Sequence, residues 1–300
     1  MYELIQVADH TYYMDCPTKV GFYEIGDGEV VLIDGGSDKD AGRKVKKILD
    51  SKGWKLKAIY NTHSHADHIG GNQYLQKQTG CKIYAPGMEA CVANFPAFEP
   101  MMLYGGYPFK ELENKFLMAK ESQVEQLTKE VLPAGMEMIA LPGHCYEMVG
   151  FRTGDDVVFL ADCLSSEETL KKYQLGYIYD IASYLATLRM VKDLSAKAFV
   201  PAHAAVTEDI SSLAQINIDK TEEIVRNITG MLQAPMTFEG LLTEIFSFYG
   251  LVMNLNQYVL IGSTVRSYLS YLKTCGLVSY EFMDNRMIWK AVSSEKTEKC

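Results

Sequence analysis

The chain has 300 residues, 48% apolar and 22% charged, which is ordinary for a globular protein that buries a sizeable core. A formal net charge of −9 repels phosphate backbones and argues against nucleic acid as the main partner. The opening residues, MYELIQVADH, lack the basic and apolar regions of a signal peptide, and no run resembles a membrane helix. The seven scattered cysteines form no C-x-x-C pair, which favours reduced thiols and a cytoplasmic location.

The first 90 residues alternate strand and helix patterns. The Gly-Asp-Gly at 26–28 joins two β-rich runs and predicts a hairpin. The segment NTHSHADHIGG (61–71) directly follows an apolar strand, so it lies on a loop at the carboxyl edge of a layered α/β fold. The predicted elements are strands at 19–25 and 28–36, a helix at 41–53, a strand at 56–60, a helix ending at Gly80 and a strand at 81–86.

Residues 94–120 interrupt this rhythm with three prolines, a Gly-Gly pair and several aromatic side chains. A connection this long and irregular is typical either of a lid or binding wall, or of an insertion that packs on its own core. The sequence leaves both interpretations open. Four tyrosines near the motifs are candidates for substrate contact: Tyr104, Tyr107, Tyr146 and Tyr173.

Strand patterns resume at 135–144, 147–154 and 156–164, and a short strand at 197–203 separates helices at roughly 180–194 and 208–232. These segments complete a predicted domain at 1–232.

Residues 236–292 differ from the preceding chain, because two amphipathic helices lead into two strands around an Asp-Asn turn. Helix, helix, hairpin predicts a small winged-helix-like α+β domain. Its second helix pattern, 259–276, carries only Arg266 and Lys273 as basic residues. That favours a packing or dimerisation module over a DNA-binding one.

Histidine and aspartate recur where apolar strands end. His144 follows LPG, Asp162 follows FLA and His203 follows FVPA. If these strands are neighbours, their carboxyl edges converge and the side chains face one cleft together with the 61–71 segment. Imidazoles and carboxylates are the donors from which zinc sites are built.

The set THSHADH (62–68), with His144 in PGH, Asp162 in LAD and His203 in PAH, resembles the metallo-β-lactamase superfamily over about residues 1–230. The resemblance implies a four-layer αβ/βα sandwich with a two-metal site at one edge. The tail resembles a winged-helix extension found in a hydrolase branch of that superfamily. The resemblance further implies that His63, His65 and His144 hold one metal, that Asp67, His68 and His203 hold the second, that Asp162 bridges both, and that Asp34 supports the His-rich loop.

Two divalent ions at such a site would share a hydroxide that attacks an electrophilic centre, with Asp67 orienting it. Zinc suits an imidazole-rich donor set best, although iron, manganese or nickel also fit. The di-iron oxygen-reducing branch has a carboxylate at the position of His65, and no flavin-binding domain follows here. Hydrolysis is therefore favoured over redox chemistry.

Three functions remain open. The favoured one is hydrolysis of a small-molecule ester, thioester or lactone. A nuclease or phosphodiesterase would need more basic residues near the motifs than Lys110, Lys115 and Lys120. A non-catalytic metal-binding regulator would usually have lost a ligand, and all seven are present. The glutathione-binding helical region of glyoxalase II is not recognisable, so that substrate is not assigned, and the apolar insertion and tail favour a homodimer.

Overall fold

The computed structural model describes residues 2–292 and contains three β-sheets. The first sheet runs in the order β1 to β7, antiparallel up to β4 and parallel from there to β7. Its strands are β1 (Glu3–Gln6), β2 (Thr11–Asp15), β3 (Val20–Gly26), β4 (Glu29–Ile33), β5 (Lys55–Tyr60), β6 (Lys82–Ala85) and β7 (Glu125–Gln126).

The second sheet has the order β11-β10-β9-β8, and the third has the order β12-β14-β13. The second sheet comprises β8 (Glu137–Ala140), β9 (Val149–Arg152), β10 (Val157–Ala161) and β11 (Ala198–Pro201), and the third comprises β12 (Met236–Thr237), β13 (Val278–Met283) and β14 (Arg286–Ala291). The helices are α1 (Lys39–Lys52), α2 (Ala66–Ile69), α3 (Asn72–Thr79), α4 (Gly87–Asn94), α5 (Phe98–Tyr104), α6 (Glu167–Tyr173), α7 (Ile181–Lys192), α8 (Ser211–Met231), α9 (Phe238–Phe248) and α10 (Leu255–Thr274).

The first two sheets pack face to face, and helices cover their outer faces. Val31 of β4 and Phe159 of β10 belong to one buried cluster between the sheets. Because side chains alternate along a strand, Leu32 lies on the other face of β4 and packs in a cluster with Leu49 of α1. Burial on both faces explains why these strands read as nearly continuous apolar runs. The αβ/βα sandwich predicted from the sequence is confirmed.

Several local predictions are also confirmed. The hairpin around residues 26–28 is the antiparallel β3–β4 pair. Helix α1 begins after Asp38, whose carboxylate accepts hydrogen bonds from the backbone N–H groups of Asp40 and Ala41. It ends at Gly53, which adopts φ +67 and so allows the left-handed turn that stops the helix.

The insertion at 94–120 contains the end of α4, helix α5 and a short 3₁₀ turn. Its Leu103, Leu112 and Leu117 form a buried cluster with Val259 of α10. Leu103 and Leu117 also line a cavity beside the predicted metal ligands. The insertion therefore packs against α10 and lies beside the predicted metal ligands, and its role as a lid stays a prediction.

The C-terminal segment has the helix, helix, hairpin order, with β12 added to its sheet. Its apolar side chains join a core shared with the second sheet, in which Tyr268 of α10 is clustered with Leu188 of α7 and Ile224 of α8. The winged-helix assignment, the domain boundary near residue 232 and the homodimer all stay predictions. Within residues 2–292, the helices are all too short or too polar to cross a membrane.

Candidate metal centre

Every predicted ligand lies just beyond a strand of the sandwich. The loop that carries His63 and His65 follows β5, and His144 lies between β8 and β9. Asp162 directly follows β10, and His203 follows β11. The carboxyl ends of β5, β10 and β11 meet at one edge of the paired sheets, so side chains distant in sequence face each other there.

Three of the predicted ligands form a first group of histidines, His63, His65 and His144. Their candidate donor atoms all lie within 4.8 Å of one another. His65 Nδ1 is 3.1 Å from His63 Nε2 and 2.9 Å from His144 Nε2. Three imidazole nitrogens at this separation can serve as three of the ligands of one metal ion, and this group contains no carboxylate.

A second group contains Asp67, His68, Asp162 and His203, whose donor atoms also lie within 4.8 Å of one another. His203 Nε2 is 3.4 Å from Asp67 Oδ2 and 3.2 Å from Asp162 Oδ2. His68 Nε2 is 3.0 Å from Asp162 Oδ1. The donor atoms of two imidazoles and two carboxylates therefore lie close together.

Asp162 connects the two groups. Its Oδ2 lies 3.5 Å from His144 Nε2 in the first group as well as close to His203 in the second. The pairing of β10 with β11 shifts register between Phe159 and Ala161, and Ala161 has φ +49. Such an irregularity changes the direction of the chain at the end of a strand, and here Asp162, the next residue, lies between the two groups.

Asp34 lies beneath the His-rich loop, and the supporting role implied for it by the family resemblance stays a prediction. Its Oδ2 accepts a hydrogen bond from His68 Nδ1 at 2.7 Å and another from Thr62 Oγ1 at 2.8 Å. Thr62 Oγ1 in turn lies 2.9 Å from His63 Nδ1. Because the Nδ1 atoms of His63 and His68 face these partners, the Nε2 atoms of both rings face the centre. In this position Asp34 adopts φ +65, which is a strained conformation for a non-glycine residue.

The loop before β3 supports the second group from another side. Pro17 supplies its carbonyl oxygen to His203 Nδ1 at 3.0 Å. Thr18 Oγ1 donates a hydrogen bond to Asp67 Oδ2 at 2.8 Å. Neither residue was identified from the sequence, because a proline and a threonine in a turn carry no signal of such a role.

Glu89 of α4 is a further residue that the sequence did not reveal. It is buried, and its Oε2 accepts hydrogen bonds from the backbone N–H and the hydroxyl of Ser64 at 3.1 and 2.6 Å. Its Oε1 accepts the backbone N–H of Glu147 at 3.2 Å. One carboxylate therefore ties the loop of His63 and His65 to the loop of His144.

Two comparisons bear on the whole arrangement. A family model described as the metallo-beta-lactamase superfamily matches residues 13–203, a range that includes all seven predicted ligands. The chain belongs to the metallo-beta-lactamase superfamily. The structure is similar to a metallo-beta-lactamase family protein from Thermus thermophilus, with a TM-score of 0.72 and 17% identity, covering 94% of this chain and 99% of that one. It is also similar to a beta-lactamase domain protein from Burkholderia ambifaria, with a TM-score of 0.70 and 14% identity, covering 97% and 94%. At these identities the likeness shows the fold.

Curated relatives match over shorter stretches. A hydroxyacylglutathione hydrolase from Methylococcus capsulatus is 33% identical over 86 residues, which is 28% of this chain and 29% of that protein. A protein of the same name from Thiobacillus denitrificans is 53% identical over 116 residues, covering 39% of this chain and 36% of that one. The chain thus spans about a third of the length of these relatives.

Membership of the superfamily together with these donor groups implies divalent metal ions. The donor atoms themselves fit this conclusion. Within the described part of the chain, His68 Nε2 and Asp162 Oδ1 are buried and make no hydrogen bond, although only 3.0 Å separates them. His68 Nδ1 binds Asp34, which turns its Nε2 toward the Asp162 carboxylate. Once His68 has lost its second proton, a cation between the Nε2 lone pair and that carboxylate would satisfy both atoms.

The two groups differ in how they hold protons. Burial and the neighbouring His65 lower the pKa of His144 to about 3, so that imidazole is neutral and ready to ligate. Asp162 raises the pKa of His203 to about 10. Burial acts against charge on His68, but Asp162 and Asp34 raise its pKa well above the ordinary value. The metal-free second group therefore carries imidazolium–carboxylate pairs.

These shifts predict proton release when zinc binds. A histidine with an ordinary pKa is neutral at pH 8, but His203, with a pKa of about 10, keeps its proton there, so zinc binding should release at least about one proton per chain. Titration calorimetry in buffers of different ionisation enthalpy measures this number. His203→Ala should lower it by about one, and release of less than one proton by the unaltered chain would contradict the assignment. Since the pKa of His203 is raised, its ion pairs stabilise the metal-free chain fully below pH 6.5, and that contribution is lost as the pH rises through about 10.

An open groove of about 1260 Å³ leads to the second group. Asp67 and His203 lie in its wall, together with Phe116 of the insertion and Tyr173 of α6. The groove gives a substrate access to the site from solvent. Asp67 is the ligand most exposed to it, with 40% of its side chain accessible.

The four tyrosines predicted to contact substrate lie in different places. Tyr173 lines the groove, whereas Tyr104 packs against Phe109 with ring centres 4.9 Å apart. Tyr107 is 89% exposed and Tyr146 is 58% exposed. Their roles stay predictions.

Tyr177, which was not predicted, lies beside the first group of histidines. Its ring centre lies 5.2 Å from that of His65 and 5.7 Å from that of His144. It follows α6 in a loop, and no strand pattern precedes it to indicate where its side chain lies.

Proposed function

We propose that this protein is a metal-dependent hydrolase that cleaves the thioester, ester or lactone bond of a small molecule with two divalent ions, most suitably zinc. The observation that carries the proposal is Asp162, whose two oxygens face donor atoms of both groups. A carboxylate placed between two clusters of imidazoles is the arrangement that two adjacent cations require.

In this proposal, His63, His65 and His144 would hold one ion, Asp67, His68 and His203 would hold the other, and Asp162 would serve as a ligand to both. Bound ions would supply Lewis acidity for the bond to be cleaved and would favour ionisation of a nearby water molecule. The side chains around them are held by Asp34, Thr18 and Glu89 before substrate arrives. Such preorganisation avoids reorganisation during the reaction.

Asp67 has a role beyond ligation in this proposal. Burial favours its neutral form, but His68 and the hydrogen bond from His203 hold the pKa of its carboxyl below the ordinary value, so it stays ionised. Thr18 fixes Oδ2, and the side chain reaches the open groove. An ionised carboxylate at this position accepts a hydrogen bond from the attacking water and so orients it toward the substrate.

The surroundings of the centre support an acyl substrate with a sizeable second part. The groove of about 1260 Å³ combines the aromatic side chains Phe116 and Tyr173 with both basic and acidic side chains, a mixed lining that suits a polar group. The relatives described above are named hydroxyacylglutathione hydrolases. Thioesters are therefore the first class to assay.

The test pairs metal content with turnover of the purified full chain. We expect close to two zinc ions per chain and hydrolysis of simple thioesters or lactones, with no cleavage of bis(p-nitrophenyl) phosphate. Cleavage of the phosphodiester alone would establish the nuclease alternative. Metal binding without turnover of any ester, thioester, lactone or β-lactam would favour the non-catalytic metal-binding regulator. Absence of metal binding would refute the hydrolase, the nuclease and the regulator alike.

A further inference from the structure

We propose that Glu99 determines substrate specificity by hydrogen-bonding an uncharged group of the substrate, a hydroxyl or a carboxamide, in a recess beside the metal ligands. This inference rests on the proposed function. The recess has a volume of about 190 Å³. One side of it is formed by ligands from both donor groups, namely His65, Asp67, His144 and Asp162. The recess therefore faces the centre itself, and atoms next to the bond to be cleaved can lie in it.

The recess also meets the open groove. Asp67 and Phe116 line both spaces, and 40% of the Asp67 side chain is accessible. A substrate that enters the groove can therefore place a short acyl part in the recess while its larger part stays in the groove. At ~30 Å³ per water-sized group, 190 Å³ holds about six non-hydrogen atoms, the size of a short acyl group.

Apart from the ligands, the walls of the recess are almost wholly apolar. The apolar lining comes from the insertion and from α10, and consists of Leu103, Phe116, Leu117 and Leu260. Glu99 and Tyr177 are the two remaining lining residues, and both bring a polar group. In a mostly apolar pocket, a few polar groups fix the orientation of the ligand and provide specificity.

Glu99 is the buried group whose chemistry is not otherwise used. It lies in the first turn of α5, and Leu103, four residues on, lines the recess from the same face of the helix. Only 6% of Glu99 is exposed, and within residues 2–292 its carboxyl group makes no hydrogen bond and no ion pair. It belongs to neither donor group of the metal centre. Buried polar groups nearly always have a partner in native proteins, so a ligand in the recess is expected to supply one.

The surroundings of Glu99 indicate an uncharged partner. Burial and the nearby carboxylates of Asp67 and Glu89 raise the pKa of Glu99 well above its ordinary value, whereas bound metal ions would act in the opposite direction. The partner therefore has to suit both protonation states. A hydroxyl or a carboxamide both donates and accepts hydrogen bonds, so it pairs with either state. An ammonium group pairs only with the ionised state, and bound metal ions would repel it.

Thioesters of equal size test this preference. The 3-hydroxybutanoyl, 3-amino-3-oxopropanoyl and 3-aminobutanoyl groups have the shape of 3-methylbutanoyl and add a hydroxyl, a carboxamide and an ammonium group respectively. We expect kcat/KM for the hydroxyl or the carboxamide thioester to exceed that of the 3-methylbutanoyl thioester by about tenfold or more, as expected for one hydrogen bond. Comparison of 2-hydroxypropanoyl with 2-methylpropanoyl covers the position nearer to the carbonyl group.

Two variants of Glu99 identify the group responsible. Glu99→Leu should abolish the preference, and Glu99→Gln should keep most of it, because the amide still donates and accepts. Urea unfolding of the metal-free full chain gives a measurement independent of turnover. Since Glu99→Leu replaces an unpaired carboxyl group in an apolar wall, it should raise the urea midpoint. Glu111→Leu is the control, because this exposed glutamate of the insertion lies outside the recess, and it should leave the preference unchanged.

The outcomes separate this assignment from the proposed function. If thioesters are hydrolysed without a preference at either position, or with one that survives in Glu99→Leu, the role of Glu99 is wrong and the hydrolase proposal stands. Preference for the 3-aminobutanoyl thioester overturns the uncharged partner, and a lowered urea midpoint in Glu99→Leu shows that the carboxyl group serves the fold instead. If no thioester is hydrolysed, the proposed function fails. Calorimetry of 3-hydroxybutanoate against 3-methylbutanoate on the zinc-loaded chain and on Glu99→Leu then supports or overturns the assignment by itself.

Discussion

Asp162→Asn is expected to lower thioester turnover by about 10³-fold or more, corresponding to about 4 kcal/mol of transition-state stabilisation. The amide keeps the shape of the side chain but removes the charge that faces His144 in one group and His203 in the other. Without this charge, residue 162 could not offset the repulsion between two adjacent cations. Steady-state kinetics, with zinc measured by atomic emission on the same sample, should show a loss of both turnover and bound metal.

The matched control for this variant is Asp193→Asn, an exposed aspartate at the end of α7. It should retain turnover and zinc content within experimental error. If Asp162→Asn binds zinc as fully as the control and turns over at a comparable rate, Asp162 does not connect two metal sites, and the proposed two-metal arrangement is wrong.

Glu89→Ala is expected to weaken zinc binding about 10- to 100-fold, although Glu89 lies in neither donor group. Its carboxylate accepts two hydrogen bonds from Ser64 and one from Glu147, and so fixes the loops that carry three of the histidines. The substitution leaves the buried N–H and hydroxyl of Ser64 unpaired, which costs about 3 kcal/mol of unfolding free energy. Competition with a zinc-binding dye measures the affinity, and urea unfolding of the zinc-free protein measures the stability.

Glu89→Gln separates the two effects. The amide oxygen can still accept one of the bonds from Ser64, so we expect most of the stability to return while zinc affinity recovers only in part. Glu130→Ala, at an exposed glutamate in a 3₁₀ turn, serves as the control. Unchanged zinc affinity in Glu89→Ala would show that the loops keep their geometry without this carboxylate.

The placement of the donor groups could be predicted because it depends on short-range patterns. His144, Asp162 and His203 each follow an apolar run, and such runs form strands whose carboxyl ends meet at one edge. The supporting role of Asp34 came from the family resemblance of its strand end, LIDGG, and not from the strand pattern alone. The structure brings all seven predicted ligands into the two groups described above.

The side chains that support or surround the centre could not be predicted in this way. Tyr177 lies on a loop and Glu89 on a short helix, and in neither case does the neighbouring sequence indicate the direction of the side chain. Tyr104 and Tyr107 were proposed from their nearness to the motifs. In the structure Tyr104 packs on Phe109 and Tyr107 is open to solvent.

The amino-acid sequence by itself determined the layered α/β arrangement and the set of histidines and aspartates at its edge, because strand periodicity and strand ends are local properties. The sandwich followed from the family resemblance of those residues. Only the tertiary structure decided which residues hold those ligands and which cavities adjoin them. Glu89 accepts a hydrogen bond from Ser64, which lies 25 residues away in the sequence. His144 and Tyr268, more than a hundred residues apart, line the same cavity. Such contacts depend on how whole helices pack against the second sheet, and no local pattern specifies that packing.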